Sequence, residues 1–347
     1  MPPVYIDVCL CMQQVRQPHS PKGRVAATGV FLRDKVDLMR KPKGAPLTQG
    51  IPIAVVGSVN TDYSVFMKKL PLPGETVLAS DSGRFAGGKG LNQAVAAHRA
   101  GGEVTFQFAV GDDEDGEFLT NFLTEQQVVH SRILDTDFST SKAYILVDEA
   151  GENQIAVVSG ANYSPKLREQ KFQNGPGLLV LQLEIGNDNN HAVAAAAKQA
   201  GWRVVLTPAP SSEFDHKLLE FIDVITLNET EVTQITGKTE FESAGVELSK
   251  LVALVFVTRG ALGVSVFEDG DILGSVEAMA VDSIDATGAG DTFCGYLVAG
   301  LSQGLTPLEA AELGTVAAGI SVQSRGASNS VPLRHEVDSL MLTRQKG

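Results

Sequence analysis

From Ile51 onward, short unbroken apolar runs alternate with longer stretches whose apolar residues recur at helical spacing. "IPIAVVG", "VTFQFAVG", "GLLVLQLE", "WRVVLTPAP", "DVITLNETE" and "VALVFVTRG" predict strands. Between them, 92–100, "DGEFLTNFLTEQQV" and the alanine-rich "NNHAVAAAAKQAG" predict helices, the first stopped by Gly101. Continuously apolar strands separated by helices imply a parallel sheet covered on both faces, a three-layer α/β/α domain. Ligands of such sheets bind at the carboxyl ends of the strands, where Asn60, Glu184, Asn228 and Thr258 stand.

Two segments break the alternation. "ETVLASDSGRF" and "SKAYILVDEAGENQIAVVSG" are strand-like without helices, and the second folds back at "EAGEN" as a hairpin. They predict a small antiparallel β lid on the mainly parallel sheet, built from lid segments at about 62–86 and 140–162. A sheet with one open apolar face is expected to cover a ligand or to pair with a second subunit as a homodimer. A plain edge extension of the main sheet is the alternative.

A chain of 347 residues with 43% hydrophobic and 20% charged residues has the composition of a globular protein, large enough for one big α/β domain or two smaller ones. Its net charge of −13 offers no basic stripe for nucleic acid, and no apolar run is long enough for a membrane span. Residues 1–50 differ: eight Lys/Arg against three Asp/Glu give +5, leaving −18 for the rest, and six prolines interrupt them. An N-terminal extension, disordered or targeting, followed by one folded unit over 51–343 is the expected division. Three cysteines form no disulfide framework, which points to a reducing compartment. Cys9-x-Cys11 could bind metal only with further ligands, and no His/Cys cluster accompanies it. The expected location is the cytoplasm; nuclear placement, or organellar targeting by residues 1–50, stays open.

The glycines carry the chemistry. Gly83, Gly88 and Lys89 satisfy G-x-x-x-x-G-K, but Gly90 stands where a phosphate-binding P-loop needs Ser or Thr. A second cluster, Gly288-Ala289-Gly290-Asp291, opens an apolar helical run. Small residues at a helix start let backbone N–H groups and the helix dipole converge into an anion hole. Asp291 there reads either as the helix N-cap or as a general base taking a proton from an attacking hydroxyl.

"AGGKGLNQAVAAHRAGG" followed some 200 residues later by "DATGAGDTFCG" resembles the two signatures of the ribokinase-like (PfkB) family of carbohydrate kinases, and the likeness extends over 51–343. "GSVNTD", "LPLPGET", "GENQIAVVSGAN", "VLQLE", "TPAP", "LNETE" and "SRGASNSVP" support it. The resemblance implies that ATP phosphorylates D-ribose at O5, with Asp291 as base and Gly288, Ala289 and Gly290 as the hole. It turns the Gly87-Gly88 loop into a sugar clamp rather than a phosphate cradle, with Lys89 and Asn92 donating to hydroxyls. Asn60, Asp62 and Glu184 would complete the sugar site. On the nucleotide side it implies Asn228, with Glu231 orienting Mg²⁺ through water, and the loop Thr258, Arg259, Gly260, Ala261, Leu262 and Gly263 beside ATP. Asn228 and Glu231 read equally as a helix-start capping box. Asp285 and Thr287, with carbonyls near Ser321, Ser324 and Gly326 and with Ser330, would form a K⁺ site that orders the hole.

The chain departs from the family pattern at Ala286, at Tyr296 and in a shortened 237–252 segment, which bears on rate and on the wall near the adenine. Other readings are a PfkB-type kinase of deoxyribose, fructose or adenosine, or a sugar-binding regulator without catalysis.

Overall fold

The computed structural model describes residues 50–344. The expectations for 1–49, including Cys9-x-Cys11, lie outside the described residues. The chain order is β1 (Ile53–Val56), β2 (Asn60–Met67), β3 (Ala79–Gly87), α1 (Lys89–Arg99), β4 (Val104–Val110), α2 (Glu114–Glu125) and β5 (Val129–Leu134). There follow β6 (Lys142–Asp148), β7 (Asn153–Val158), β8 (Leu178–Gln182), α3 (Asn187–Gln199), β9 (Arg203–Thr207), β10 (Val224–Asn228), α4 (Glu229–Thr236) and α5 (Phe241–Leu248). The last elements are β11 (Leu254–Thr258), β12 (Val264–Glu268), β13 (Asp271–Val276), α6 (Ala289–Ser302), α7 (Pro307–Ser321) and α8 (Arg334–Arg344).

Nine strands form one sheet in the order β13-β12-β11-β10-β9-β8-β1-β4-β5, parallel from β11 to β5. Only the β11-β12-β13 edge is antiparallel. Alternate residues of each central strand feed opposite layers. Ile53 and Val55 of β1 enter a core shared with α1, α6 and α7, while Ala54 and Val56 enter a second core shared with α3, α4 and α5. This two-sided burial is why the strands read as unbroken apolar runs. Small residues bring α1 against α6: a Cβ on Gly295 would stand 2.4 Å from the Ala96 Cβ.

Chain order reverses between β1 and β8, which opens a crevice at their carboxyl ends. A second sheet, β3-β2-β6-β7, rises beside it as the expected lid. Its outer pairs are antiparallel and its central pair, β2 with β6, is parallel, because β4, α2 and β5 intervene as a crossover. One face of this sheet reaches α2, where Asp115 binds the Tyr63 hydroxyl at 2.7 Å, the Lys142 ammonium at 3.1 Å, and Arg84. The segment expected to be short, 237–252, contains the eight-residue α5, pressed so tightly on β12 that a Cβ on Gly245 would strike the Phe267 ring.

Candidate active site

The crevice is built from the ends of β1 and β8 and from the first turn of α1. Glu184, two residues past β8, accepts from the Ser58 hydroxyl at 2.5 Å and from the Lys89 amide at 3.0 Å, both through Oε2. The Ser58 hydroxyl oxygen also accepts from the Gly90 amide at 3.2 Å, and the Ser58 carbonyl from the Leu91 amide at 3.0 Å. Glu184, singled out as a sugar contact, thus also fastens the start of α1 to the β1 loop. Gly88 caps that start with φ +96°, where any Cβ would meet the backbone of Val59 at 2.8 Å.

Asn60 and Asp62 open β2 on the facing wall. Asn60 is buried, and its Oδ1 accepts from the Ser141 hydroxyl at 2.7 Å and the Asn162 amide at 2.9 Å. Asn162 returns to the backbone of Val59 through both ends of its carboxamide. Sequence reasoning gave Ser141 and Asn162 no role, although Asn162 ends the quoted "GENQIAVVSGAN". Asp62 is different: its Oδ1 is buried without a hydrogen-bond partner. Burial, and then the charge of Glu184, push its carboxyl up to about 7. Gly87 leaves the room it occupies.

Asp291 lies in the first turn of α6, almost fully buried. It is not the N-cap. That place belongs to Gly288, with φ +75° and no side-chain capping bond. Two carboxamides of α1 claim the Asp291 carboxylate instead: Asn92 Nδ2 donates to Oδ2 at 3.1 Å and Gln93 Nε2 to Oδ1 at 2.9 Å. Asn92, expected to face hydroxyls, therefore also touches the candidate base, and Gln93 is a site residue that sequence reasoning missed. In the terminus itself the Ala289 amide donates to the Ala286 carbonyl at 3.2 Å, while open space lies in front of Gly290. The first-turn amides lack intrahelical partners and the dipole adds positive potential, so this end suits an anion.

Lys89 links the two halves. Asp291 above all, then Glu184 and Glu231, raise its ammonium above the ordinary lysine value against the cost of burial. Glu231 is raised by burial; Lys89 counteracts this and Asp291 adds to it. These three groups share one electrostatic field, and a cation between Glu231 and Asp291 would relieve their mutual repulsion.

At the end of β10, Asn228 and Glu231 form a complete capping box, Asn228 N to Glu231 Oε2 at 2.9 Å and Glu231 N to Asn228 Oδ1 at 2.8 Å. The box uses one Glu231 oxygen, so the carboxylate retains a side for a metal-bound water. An open cleft of about 630 Å³ beside it is lined by Pro210, Ser211, Asn228, Thr230, Glu231 and Gln234. The Thr258–Gly263 loop after β11 turns on Gly260 and Gly263, both at positive φ, and exposes Gly260, Ala261 and Leu262. Thr258 donates to the Leu227 carbonyl at 3.4 Å. Arg259 folds back onto Glu229 at 3.2 Å and over the Phe241 ring at 4.4 Å.

Beneath the hole, Asp285 accepts from the amides of Thr287 at 2.9 Å and Gly326 at 2.8 Å. Burial would raise its carboxyl, but these amides hold it below the ordinary value. The 285–287 and 321–330 segments are thereby joined, and their donors (carboxylate, carbonyls, hydroxyls) are all oxygen, which fits a hard cation. The Ser321 carbonyl accepts from the Ser324 amide, and the hydroxyls of Ser321 and Ser330 donate to Ala318 and Ala327 carbonyls. Tyr296 is fully buried on α6, and its hydroxyl donates to the Pro332 carbonyl at 2.7 Å. Burial raises its phenol above the ordinary value.

The description "pfkB family carbohydrate kinase" matches residues 52–334. The chain is 35% identical over 296 residues to the ribokinase of Haemophilus influenzae, covering 82% of this chain and 96% of that one. The solved ribokinase of Thermotoga maritima superposes with a TM-score of 0.74 at 30% identity, over 84% of this chain and 99% of that one. The Arabidopsis thaliana ribokinase, solved in complex with ribose and ATP, superposes with a TM-score of 0.73 at 30% identity, over 84% and 99%. With two signatures in order, a matching fold and a carboxylate held at a glycine-rich helix start, the chain belongs to the pfkB family of carbohydrate kinases and is a sugar phosphotransferase.

Proposed function

We propose that this kinase transfers the γ-phosphoryl group of ATP to O5 of D-ribose, giving D-ribose 5-phosphate. The observation that carries the reading is the buried, unpartnered Asp62 Oδ1, set beside Gly87 in the crevice that holds Asp291. A carboxylate oxygen without a donor suits the hydroxyls of a polyol, which supply donors in pairs. The ribokinase relatives, one solved with ribose and ATP, support the same choice. Asn60, Gly87, Gly88, Lys89, Asn92 and Glu184 complete the sugar side.

Asp291 takes the proton of the 5-hydroxyl as O5 attacks the γ-phosphorus in line. The O5–P bond forms, the bridging P–O bond breaks, and its electron pair leaves with ADP. Gly288, Ala289 and Gly290 present the helix start to the transferring group, and one such donor is typically worth ~3 kcal/mol. Bound Mg²⁺ supplies charge neutralisation on the triphosphate, and Glu231 would hold it through water, with Asn228 fixing Glu231. Thr258–Gly263 borders the nucleotide. Asp285, Thr287, Ser330 and the carbonyls of Ser321, Ser324 and Gly326 would hold K⁺ below the hole. Phe85, Ile155 and Val157 lie on one face of the lid by register and are exposed, which supports pairing of two chains through the lid. No helix among the described residues is long and apolar enough to cross a membrane. The cytoplasm is the proposed location on cysteine usage, three cysteines without a disulfide framework.

The test is ADP release by the full chain with Mg-ATP across ribose, deoxyribose, fructose and adenosine, in K⁺ and then in Na⁺. Turnover greatest with ribose and stimulated by K⁺ is expected. A preference for fructose or adenosine would move the substrate while leaving the family. Asp291→Ala is expected to bind ribose and lose roughly 10²- to 10⁴-fold in kcat.

A further inference from the structure

Behind Asp291 the interior holds a run of carboxamides. Gln93 and Gln182 are fully buried. Gln182 Nε2 donates to Gln93 Oε1 at 2.7 Å, and Gln93 Nε2 donates to Asp291 Oδ1 at 2.9 Å, with a weaker approach to the Thr207 hydroxyl at 3.3 Å. The far end of the run is unsatisfied: Gln182 Oε1 has no donor and lies where a Cβ on Gly57 would be only 2.1 Å away. Burying such an oxygen typically costs ~1–3 kcal/mol, so an alternative arrangement that satisfied it would be favoured unless something fixed the polarity.

The carboxylate does. An ionised Asp291 only accepts, so Gln93 must turn its NH₂ toward Asp291 and its oxygen toward Gln182. Gln182 must then turn its own NH₂ toward Gln93, and its oxygen is left orphaned. Rotating either amide by 180° would set an oxygen against an oxygen. The order follows from charge and does not depend on how the amide atoms are assigned.

We propose that Gln93, backed by Gln182, is a positioning residue for phosphoryl transfer: its bond to Oδ1, together with the Asn92 bond to Oδ2, orients the Asp291 carboxylate toward the attacking hydroxyl. The inference rests on Asp291 being the base. Gln93 donates to the ionised form more strongly than to the protonated form, and its carboxamide is fully buried among Asp291, Thr207 and Gln182. Its loss lowers turnover without weakening sugar binding and shifts the acid limb of kcat upward. The other charged or titratable groups that feel Asp291 are Lys89 on α1, Glu231 on α4 and the buried Cys294 thiol on α6, and they are common to every variant compared.

Gln93→Met keeps the volume and removes the donor. Expected are kcat lower by 10-fold or more, ribose KM within twofold, and an acid limb displaced to higher pH. Gln182→Met removes the donor to Gln93 Oε1 and so weakens the hold on Gln93; it is expected to give a smaller loss with a shift in the same direction. The double variant should be no slower than Gln93→Met, because both act through one bond. Gln93→Glu, which sets a second carboxyl against Asp291, should displace the limb furthest. Ribose titration and thermal melting of each variant separate misfolding from mispositioning; if Gln93→Met does not fold, Gln182→Met carries the test. An unshifted limb, a loss residing in KM, or losses that multiply in the double variant would overturn the proposal. Full turnover by Asp291→Ala would instead overturn the base. An inactive Asp291→Ala beside a fully active Gln93→Met would remove the relay alone.

Discussion

A Cβ placed on Gly87 would stand 2.1 Å from Oδ2 of Asp62, so the carboxylate occupies the volume that any other residue at 87 would fill. The two are diagonal neighbours on one face of the β2–β3 pair, where Gly87 is opposite Asn60 and Asp62 opposite Phe85. Gly87→Ala is expected to displace Asp62 and raise the ribose KM by ~10-fold or more, with an overpacking cost of about 1–3 kcal/mol. Ribose titration of the variant checks it, and unchanged affinity would detach Asp62 from the sugar.

Asp62 also makes a prediction about pH. Its folded carboxyl is raised from 3.8 to about 7, so between these values the folded state binds the proton that the unfolded state has released. This contribution to stability is present below about 4 and is lost as pH rises through 7. Asp62→Asn should therefore melt higher than the native chain at pH 8 and nearly the same at pH 4. Ribose affinity of the native chain should rise from pH 6 to 8 as the acceptor form is populated, and the variant should lack that rise. Melting curves and ribose titrations at the two ends of the range suffice.

Ser58 donates to Glu184 at 2.5 Å. Ser58→Ala leaves the Gly90 amide without its acceptor, and a cost of about 1–3 kcal/mol is expected. Since α1 carries Lys89, Asn92 and Gln93, loss of turnover should accompany the fall in melting temperature. A variant that melts early yet turns over normally would show that the start of α1 needs no fastening.

Tyr296, expected to depart from the family pattern, is accommodated in its surroundings. Its hydroxyl has a partner and its ring is fully enclosed. Tyr296→Phe should cost about 1 kcal/mol, roughly 2–4 °C in Tm, and leave kcat unchanged. A changed kcat would tie the packing of α6 to the hole at its start.

The parallel strands were legible because both of their faces are buried, which writes a continuous apolar run into the sequence. β5 was not: "VHSRIL" forms the sheet edge, where His130 and the exposed Ser131 and Arg132 break the run. β2 was hidden by its opening, since "NTD" has turn chemistry until β3 and β6 flank it. α1 begins at Lys89, three residues before the apolar pattern, because its first amides are satisfied by Glu184 and Ser58 from the loops after β8 and β1 rather than by a local cap. In the site, the glycine clusters and their carboxylates stood out as residue types. Gln93 did not, because it lies inside an apolar helical run and its partner Asp291 is 198 positions away.

Asn60, Ser141 and Asn162 tie a knot where both central lid strands leave the main body, and the Thr61 amide adds a bond to the Ser141 carbonyl at 3.0 Å. The blade rooted there extends seven residues beyond Asn60 to Met67, roughly 23 Å at strand spacing. Any tilt of that blade turns on the knot as a fulcrum: Asn60 stays nearly still, Asp62 travels a little, and the tip sweeps widely. If Asp62 meets the sugar as proposed, precision there and reach at the rim would be set by one lever arm.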